Sequence, residues 1–213
     1  QTCHKLHCLF NSLPLLGFPF DMAKIPKNGL YVLFENGEYG HGTNRIVRIG
    51  THTGNNQLPS RLQQHFMREN KDRSIFRKNI GRALLNKAKD PYLAIWELDL
   101  TTREAKKKYS NLIDPVKQKQ IEQQVTSIIQ GNFQFIVFRM ESKEKRREFE
   151  SKIISTVSSC NQCKPSENWF GQYSPKDKIR ESGLWIVNEL YKTPLSEEEF
   201  SQLEDEIKGP FKL

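Results

Sequence analysis

The sequence has no hydrophobic run long enough to cross a membrane. Its most apolar N-terminal stretch, LFNSLPLLGFPF, is interrupted by two prolines and a glycine and lacks the layout of a signal peptide. Cysteine is also scarce, and four residues are few for a secreted scaffold held by disulfides. We therefore expect a reduced, intracellular protein, most simply a cytoplasmic one.

Acidic residues are scarce relative to basic ones. Asp and Glu number 25 against 33 Lys and Arg, which gives a formal net charge of +8. Residues 61–89 hold nine Lys or Arg and two acids, whereas residues 197–206 hold six acids and no base. This distribution favours a polyanionic partner such as nucleic acid at the first region, although a basic surface that only confers solubility is the alternative.

Periodic patterns predict the secondary structure. The predicted strands span 29–36, 46–50, 92–100 and 133–140. Besides a short N-terminal helix, the predicted helices span 59–68, 74–88, 102–130, 142–158, 176–191 and 196–207. This order predicts an α/β (α+β) fold, with a small mixed or antiparallel three-stranded core sheet flanked by helices. An inserted strand–helix segment and extra helices at both termini would surround that core.

Side chains suited to phosphate chemistry follow these strands. Two tripeptides, GLY at 29–31 and RIG at 48–50, lie on the first two strands. The next helix carries an arginine and a histidine four positions apart, which places both on one helix face. A glutamate precedes Ile-Ile on the helix after FQFIVF, and an asparagine follows in the loop PSENWFG. The candidates are Tyr31, Arg48, Arg61, His65, Glu150 and Asn168.

This order of motifs resembles the GIY-YIG endonuclease superfamily. GLY and RIG stand for its two triplets, followed by R-x-x-x-H, E-x-x-I-I and the later asparagine, over about 26–170. A segment inserted at about 87–131 is most similar in placement to the type II restriction endonuclease branch. The resemblance implies a metal-dependent DNA endonuclease that hydrolyses phosphodiester bonds. It would form one domain over 1–213, with a helical C-terminal extension at about 176–213.

The resemblance also assigns roles. Tyr31 would orient or deprotonate the attacking water, alone or with His65. Arg61 would hold a non-bridging phosphate oxygen, which suits its planar fork of donors. Glu150 would be the only protein carboxylate that binds Mg²⁺ or Mn²⁺, with waters and phosphate oxygens as the other ligands. Asn168 would steady the site or contact DNA.

Arg48 departs from the family pattern, which usually has tyrosine at this position. Strict alternation along the strand predicts that Arg48 shares a face with Ile46 and Gly50, opposite Val47. An arginine cannot relay a proton as a neutral group. It would instead bind the scissile phosphate or lower the pKa of Tyr31 through its charge.

The other candidates for DNA contact are His52, Arg68, Arg73, Arg77 and Lys78. Each functional interpretation has a plainer alternative. Tyr31 would be a packed strand aromatic, Arg61 and Glu150 would be solvated charges, and Asn168 would be a turn residue. At the level of function, two alternatives stay open. One is a catalytically impaired nucleic-acid-binding module on the same fold, and the other is an interaction protein with an acidic protein partner. A homodimer is a further hypothesis, because a symmetric dimer most simply makes two cuts across a duplex.

The cysteines allow a second kind of site. Cys160 and Cys163 have the spacing of zinc ligands, and the N-terminal CHKLHC segment, residues 3–8, could supply partners. Both segments lie outside the nuclease pattern. We expect two unrelated pairs of free thiols rather than a structural zinc site.

Overall fold

The computed structural model describes residues 1–209 of the chain. The last four residues of the predicted C-terminal extension lie outside this range. In chain order the elements are α1 Thr2–Asn11, β1 Leu16–Gly17, β2 Gly29–Gly40, β3 Thr43–Gly50, α2 Leu58–Phe66, α3 Ile75–Lys87, α4 Leu93–Trp96, α5 Arg103–Tyr109, α6 Pro115–Asn132, β4 Phe133–Arg139, α7 Lys143–Ser158, α8 Asp177–Ser182 and α9 Glu197–Lys208. No helix in the described part of the chain is both long and apolar enough to cross a bilayer.

The sheet is antiparallel, with strand order β1-β4-β2-β3. β2, β3 and β4 form the predicted three-stranded core, and the two-residue strand β1 extends the β4 edge. β2 is the central strand of that core, where it pairs with β3 on one side and with β4 on the other. The predicted fold class is therefore confirmed.

Helices cover both faces of the sheet. Because successive side chains of a strand point to opposite faces, alternate residues of β2 pack in two different hydrophobic clusters. Leu30 and Val32 pack with residues of α1, α7 and α9. Tyr31 and Leu33 pack on the other face with residues of α2, α3 and α6. Tyr31 is therefore directed toward the layer that carries Arg61 and His65, whereas the helix of Glu150 covers the opposite face.

The predicted strand at 92–100 is wrong, because this segment begins as the short helix α4. The carboxylate of Asp90 accepts the backbone N–H of Tyr92 at 2.8 Å, and this Asx turn leads the chain into α4. Trp96 is fully buried, and its indole N–H donates to the carbonyl of Lys78 at 2.9 Å. The inserted segment thus contains helices where a strand and a helix were predicted.

The predicted helix over 176–191 also ends early. α8 stops at Ser182, because Gly183 adopts a left-handed φ of 70° that terminates the helix. The chain then extends, and the N–H of Trp185 donates to the carbonyl of Val47 at 2.8 Å. This contact brings the segment after α8 beside β3.

The predicted strict alternation of side chains along β3 is wrong, because it is interrupted at Val47. Leu33 pairs with Arg48, but the next residue of β2, Phe34, pairs with Ile46, so Val47 is the extra residue of a β-bulge. As a result Ile46 packs in the α1–α7–α9 layer, opposite Val47. Arg48 lies on the same side of the sheet as Tyr31, where it contacts the tyrosine hydroxyl.

Glu35 is a buried carboxyl group in the middle of β2, four residues beyond Tyr31. It accepts the indole N–H groups of Trp169 and Trp185 at 2.7 and 2.8 Å. Burial raises its pKa to about 7, against the lowering effect of these two hydrogen bonds. Between about pH 4.5 and about pH 7, the Glu35 carboxyl is therefore protonated in the native protein and ionised in the unfolded chain.

This proton predicts a pH dependence of stability. Because the native state binds the extra proton, the free energy of unfolding should fall as pH rises from about 4.5 to about 7 and lose this dependence above that range. Glu35→Gln removes the titrating proton, so its stability relative to wild type should rise by on the order of 3 kcal/mol over the same window. Urea unfolding at several pH values checks this, with the exposed Glu167→Gln as control. Parallel pH profiles for wild type and Glu35→Gln would contradict the expectation.

Candidate active site

The glycines of the two tripeptides permit close approaches. Gly50 lies opposite Tyr31 across β2 and β3, and a Cβ atom at Gly50 would lie 2.2 Å from the Tyr31 hydroxyl. A Cβ atom at Gly29 would lie 2.1 Å from the carbonyl oxygen of Phe138 on β4. Only glycine fits at either position, so the tripeptides GLY and RIG place the tyrosine hydroxyl directly over the β3 backbone.

A chain of hydrogen bonds connects Tyr31 to the N terminus of α3. The Tyr31 hydroxyl lies 2.8 Å from Nε2 of His65, and Nδ1 of His65 lies 2.7 Å from the hydroxyl of Ser74. Complete burial, followed by the positive charges of Arg61 and other arginines, lowers the pKa of His65 well below its usual value. The imidazole is therefore neutral, and it can accept the proton of Tyr31 while it donates to Ser74.

Arg48 is held at both ends of its guanidinium group. Its Nε donates to the Tyr31 hydroxyl at 3.4 Å, and Nη1 donates to the carbonyl of Trp185. The charged group also lies 5.4 Å from the ring centre of Phe76. Tyr31 is 0% exposed and Arg48 is 3% exposed, so Arg48 rather than Tyr31 borders the cleft in this structure.

That cleft has a volume of about 740 Å³ and lies beside the N-terminal half of α7. Bases and acids are interspersed along it. Its charged lining residues are Arg48, Lys143, Glu144, Arg147, Glu148, Glu150 and Glu189. A polyanion would meet both signs of charge there, so a cation that neutralises the carboxylates would favour its entry.

Glu150 is a half-buried carboxylate of the cleft. Burial raises its pKa, while the charge of Arg48, the N–H of Thr51 and the charge of Arg61 lower it. Oε1 accepts the N–H of Thr51 at 3.0 Å, and Oε2 has no hydrogen-bond partner among residues 1–209. One oxygen is thus oriented by the backbone and the other is open. This donor set fits Mg²⁺ or Mn²⁺, which take one or two carboxylates and keep several waters.

Arg61 is anchored on one side only. Its Nη1 donates to the carbonyl of Arg73 at 3.1 Å and to the side chain of Gln64 at 3.2 Å. Nε and Nη2 have no partner among the described residues. Its charge acts on both His65 and Glu150, so the structure brings Arg61 together with Tyr31, Arg48, His65 and Glu150.

Burial corrects two of the expected DNA contacts. Arg77 has no exposed surface, and its guanidinium is paired with Glu122 at 2.7 Å. His52 is also buried, and its two ring nitrogens bond to the N–H of Gly29 and the carbonyl of Gly54. Burial lowers the pKa of His52, so its ring is neutral and does not attract a phosphate.

The basic run at 61–89 is only partly a surface feature. Three of its nine cations lie in buried ion pairs, Lys71 with Asp72, Arg77 with Glu122 and Arg82 with Glu97. Lys78 is half-buried and donates to the carbonyl of Glu97 at 2.8 Å. Arg68 and Arg73 are exposed, so they are the expected DNA contacts that the structure leaves accessible.

Asn168 does not line the cleft. It is exposed in the loop before Trp169, whose indole bonds to Glu35, four residues beyond Tyr31 along β2. The asparagine that does line the cleft is Asn188, in the extended segment after α8. No local pattern in the sequence distinguishes it, because the contact of Trp185 with β3 is what brings this segment to the cleft.

Two supporting residues were also missed. Thr51 and Ser74 orient Glu150 and His65, respectively. Ser74 has a recognisable signal, since it caps α3 by accepting the N–H of Arg77. Thr51 orients Glu150 through its backbone N–H, which every residue type except proline would supply.

A family model described as a GIY-YIG domain matches residues 17–210, which is most of the chain. No curated protein and no solved structure matches significantly.

Proposed function

The chain belongs to the GIY-YIG domain family, and on that premise we propose that it is a metal-dependent DNA endonuclease. The family points to a nuclease in general. Arg48 and Glu150 line one cleft, the buried Tyr31–His65 pair lies directly behind Arg48, and the charge of Arg61 acts on both His65 and Glu150. This arrangement supports phosphodiester hydrolysis at the cleft. Hydrolysis needs a positioned water, a base to take its proton and positive charge near the phosphoryl oxygens.

The proton route would begin at Tyr31. Its hydroxyl would take a proton from the attacking water as it transfers its own proton to Nε2 of His65, 2.8 Å away. The neutral imidazole is suited to this role, and Ser74 at 2.7 Å holds the ring in orientation. Because Tyr31 is buried beneath Arg48, this route requires the Arg48 side chain to move from the tyrosine toward the DNA phosphate.

Positive charge would come from Arg61, Arg48 and a divalent cation at Glu150. Arg61 has free donors beside the cleft and would hold a non-bridging oxygen. A bound Mg²⁺ would neutralise charge on the phosphoryl oxygens. The open oxygen of Glu150 would be the protein ligand, with Thr51 keeping the other oxygen in place.

A plasmid-cleavage assay with the full chain tests this proposal. The supercoiled form should disappear when Mg²⁺ is added and persist when EDTA is present. Intact plasmid in both conditions, with the protein bound to it, would contradict the nuclease proposal and favour the alternative below.

We also propose, on the placement of the inserted segment alone, that the protein belongs to the type II restriction branch. Such an enzyme would cut both strands at a fixed site and would act most simply as a homodimer. Sequencing of the product ends and sedimentation velocity with and without DNA test these two points. Random product ends would exclude cutting at a fixed site. A monomer that nicks only one strand would exclude the homodimer.

The alternative function is a nucleic-acid-binding module without cleavage. The observation that favours it is the position of Arg48, which closes Tyr31 from the cleft through bonds to its hydroxyl and to Trp185. If Arg48 never leaves this position, water cannot reach the tyrosine.

Arg48→Tyr distinguishes the two functions. If Arg48 moves to bind phosphate, the substitution should lower the cleavage rate by roughly tenfold to a hundredfold, since one charge near the transition state is lost. Single-turnover cleavage of plasmid DNA measures this, and the melting temperature controls for folding. A clear gain in rate would mean that Arg48 blocks catalysis in the natural chain.

DNA affinity should depend strongly on salt. The accessible bases are Lys143 and Arg147, which line the cleft, and Arg61, Arg68 and Arg73, on or just after α2. With about four phosphate contacts among them, affinity should fall by roughly two decades between about 50 and about 200 mM salt. Arg73→Gln should reduce the slope by about one unit, whereas Lys5→Gln on α1 should not change it. Fluorescence anisotropy at several salt concentrations checks this, and a flat profile would remove the electrostatic argument.

A further inference from the structure

Four potential metal ligands converge beside the turn that follows β2, at the opposite end of this strand from Tyr31. Cys3 lies on α1, His41 lies in the turn between β2 and β3, and Cys160 and Cys163 lie just after α7. Their ligand atoms all lie within 4.8 Å of one another, and the three cysteines are buried. We call these four residues the thiol–imidazole cluster.

The distances within the cluster are those of a tetrahedral zinc site. Zinc bonds of about 2.3 Å to sulfur and about 2.0 Å to nitrogen place two sulfurs about 3.8 Å apart and a sulfur and a nitrogen about 3.6 Å apart. Sγ of Cys3 lies 3.6 Å from Sγ of Cys163. Sγ of Cys160 lies 3.4 Å from Nε2 of His41. One ion at the centre would need only small shifts of these atoms.

The backbone around the cluster is shaped for it. His41 and Gly42 form the tight turn that joins β2 to β3, and both have positive φ values, 54° and 78°. A Cβ atom at Gly40 would lie 2.9 Å from Cβ of Cys163, so glycine allows the hairpin to approach the cysteines. The N–H of Gln162 points at Sγ of Cys160 at 3.4 Å and would stabilise its negative charge as a thiolate.

His7 lies beside the cluster, but both of its ring nitrogens already form hydrogen bonds. Its Nδ1 bonds to the carbonyl of Cys3 at 2.9 Å, and its Nε2 accepts the N–H of Ile46 at 3.3 Å. Both ring nitrogens are therefore used to fix α1 against β3. Cys8 is exposed on the same helix and lies outside the cluster.

We propose that the thiol–imidazole cluster binds one structural zinc ion. Three soft sulfur ligands and an imidazole favour zinc over the hard cations that a nuclease site takes. On binding, the thiols release their protons to solvent. The four protein ligands complete the coordination of the ion, which leaves it no open position for catalysis. The ion would tie α1, the β2–β3 turn and the end of α7 together, and this role does not depend on the proposed nuclease activity.

This arrangement corrects the expectation of two unrelated pairs of thiols. Cys3 and Cys163 are 160 residues apart in the chain, and Cys8, the apparent partner of Cys3 in the sequence, does not take part. The ligand from the hairpin, His41, has no spacing signal at all. Only the packing of α1 and α7 on the same face of the sheet unites them.

The metal content of the purified full chain tests the proposal. Elemental analysis after extensive dialysis should find about one zinc per chain in wild type and in the control Cys8→Ser. Cys160→Ser and His41→Ala should each lose most of this zinc and melt at a lower temperature than the control. Zinc absent from wild type, or unchanged in both cluster variants, would overturn the site.

A second measurement applies even where these variants fail to fold. Cobalt(II) added to chelator-treated wild type and Cys8→Ser should give the intense visible absorption of tetrahedral thiolate coordination, and zinc should abolish it. Absence of that spectrum would overturn the proposal. So would a Cys3–Cys163 disulfide found by mass spectrometry of freshly purified protein, since it would require the sulfurs to close from 3.6 Å to about 2.0 Å.

Discussion

Glu150→Gln is expected to lower the rate of DNA cleavage on the order of a thousandfold. The substitution keeps the shape of the side chain and can still accept the N–H of Thr51, but it removes the charge that holds a divalent ion. Loss of several kcal/mol of charge stabilisation in the transition state corresponds to that factor. DNA binding should be retained or slightly strengthened, because one negative charge near the phosphate is gone. Single-turnover cleavage and fluorescence anisotropy measure the two effects.

Glu148→Gln is the matched control. Glu148 lines the same cleft two residues earlier on α7, but its side chain is 58% exposed and it pairs with Lys152. Its substitution should change the cleavage rate by no more than a few fold. A Glu150→Gln protein that cleaves near the wild-type rate would place the metal elsewhere in the cleft, and equal losses in both variants would point to a general effect of cleft charge.

Tyr31→Phe is expected to lower cleavage by about a hundredfold to ten-thousandfold, the range typical for the loss of a general base. The ring still fills its place opposite Gly50, so only the hydroxyl is lost. Nε2 of His65 loses its partner in a fully buried position, which should cost about 1–3 kcal/mol of stability. Cleavage must therefore be compared under conditions where circular dichroism finds both proteins folded.

Tyr39→Phe provides the control on the same strand, since Tyr39 is 70% exposed and outside the cleft. Its cleavage rate and stability should match wild type. Full activity in folded Tyr31→Phe would exclude the tyrosine as the base. His65 would then have no tyrosine proton to accept, so the proposed proton route would be excluded too. The plainer interpretation of Tyr31 as a packing residue would then be correct.

Local pattern predicted much of the sheet. β2, β3 and β4 correspond to segments whose apolar residues, glycines and turn signals are all local in sequence, and α2 and α3 follow from helical spacing. The tripeptides GLY and RIG mark real close approaches, at Gly29 and Gly50. The type of each of these elements depends on the residues within it, which is the scale at which sequence patterns are informative.

Features that depend on distant pairing were missed. Arg77 was expected at the surface because its run is basic, but Glu122, 45 residues later, pairs with it in the interior. The bulge at Val47 changed the face of Ile46, and no residue type marks it. Segment 92–100 was predicted as a strand, yet a turn at Asp90 leads into a short helix there, and Trp96 is buried against α3. In each case a tertiary contact or a turn outweighs the local preference.

The initial rate of plasmid cleavage during a Mg²⁺ titration, with wild type and Glu150→Gln compared at saturating protein, tests the central claim most directly. The account predicts that the wild-type rate rises from background to a plateau and returns to background with EDTA. Glu150→Gln should stay at background while it binds DNA as tightly as wild type. Cleavage by both proteins without a divalent ion, or tight binding by both with cleavage by neither, would contradict it.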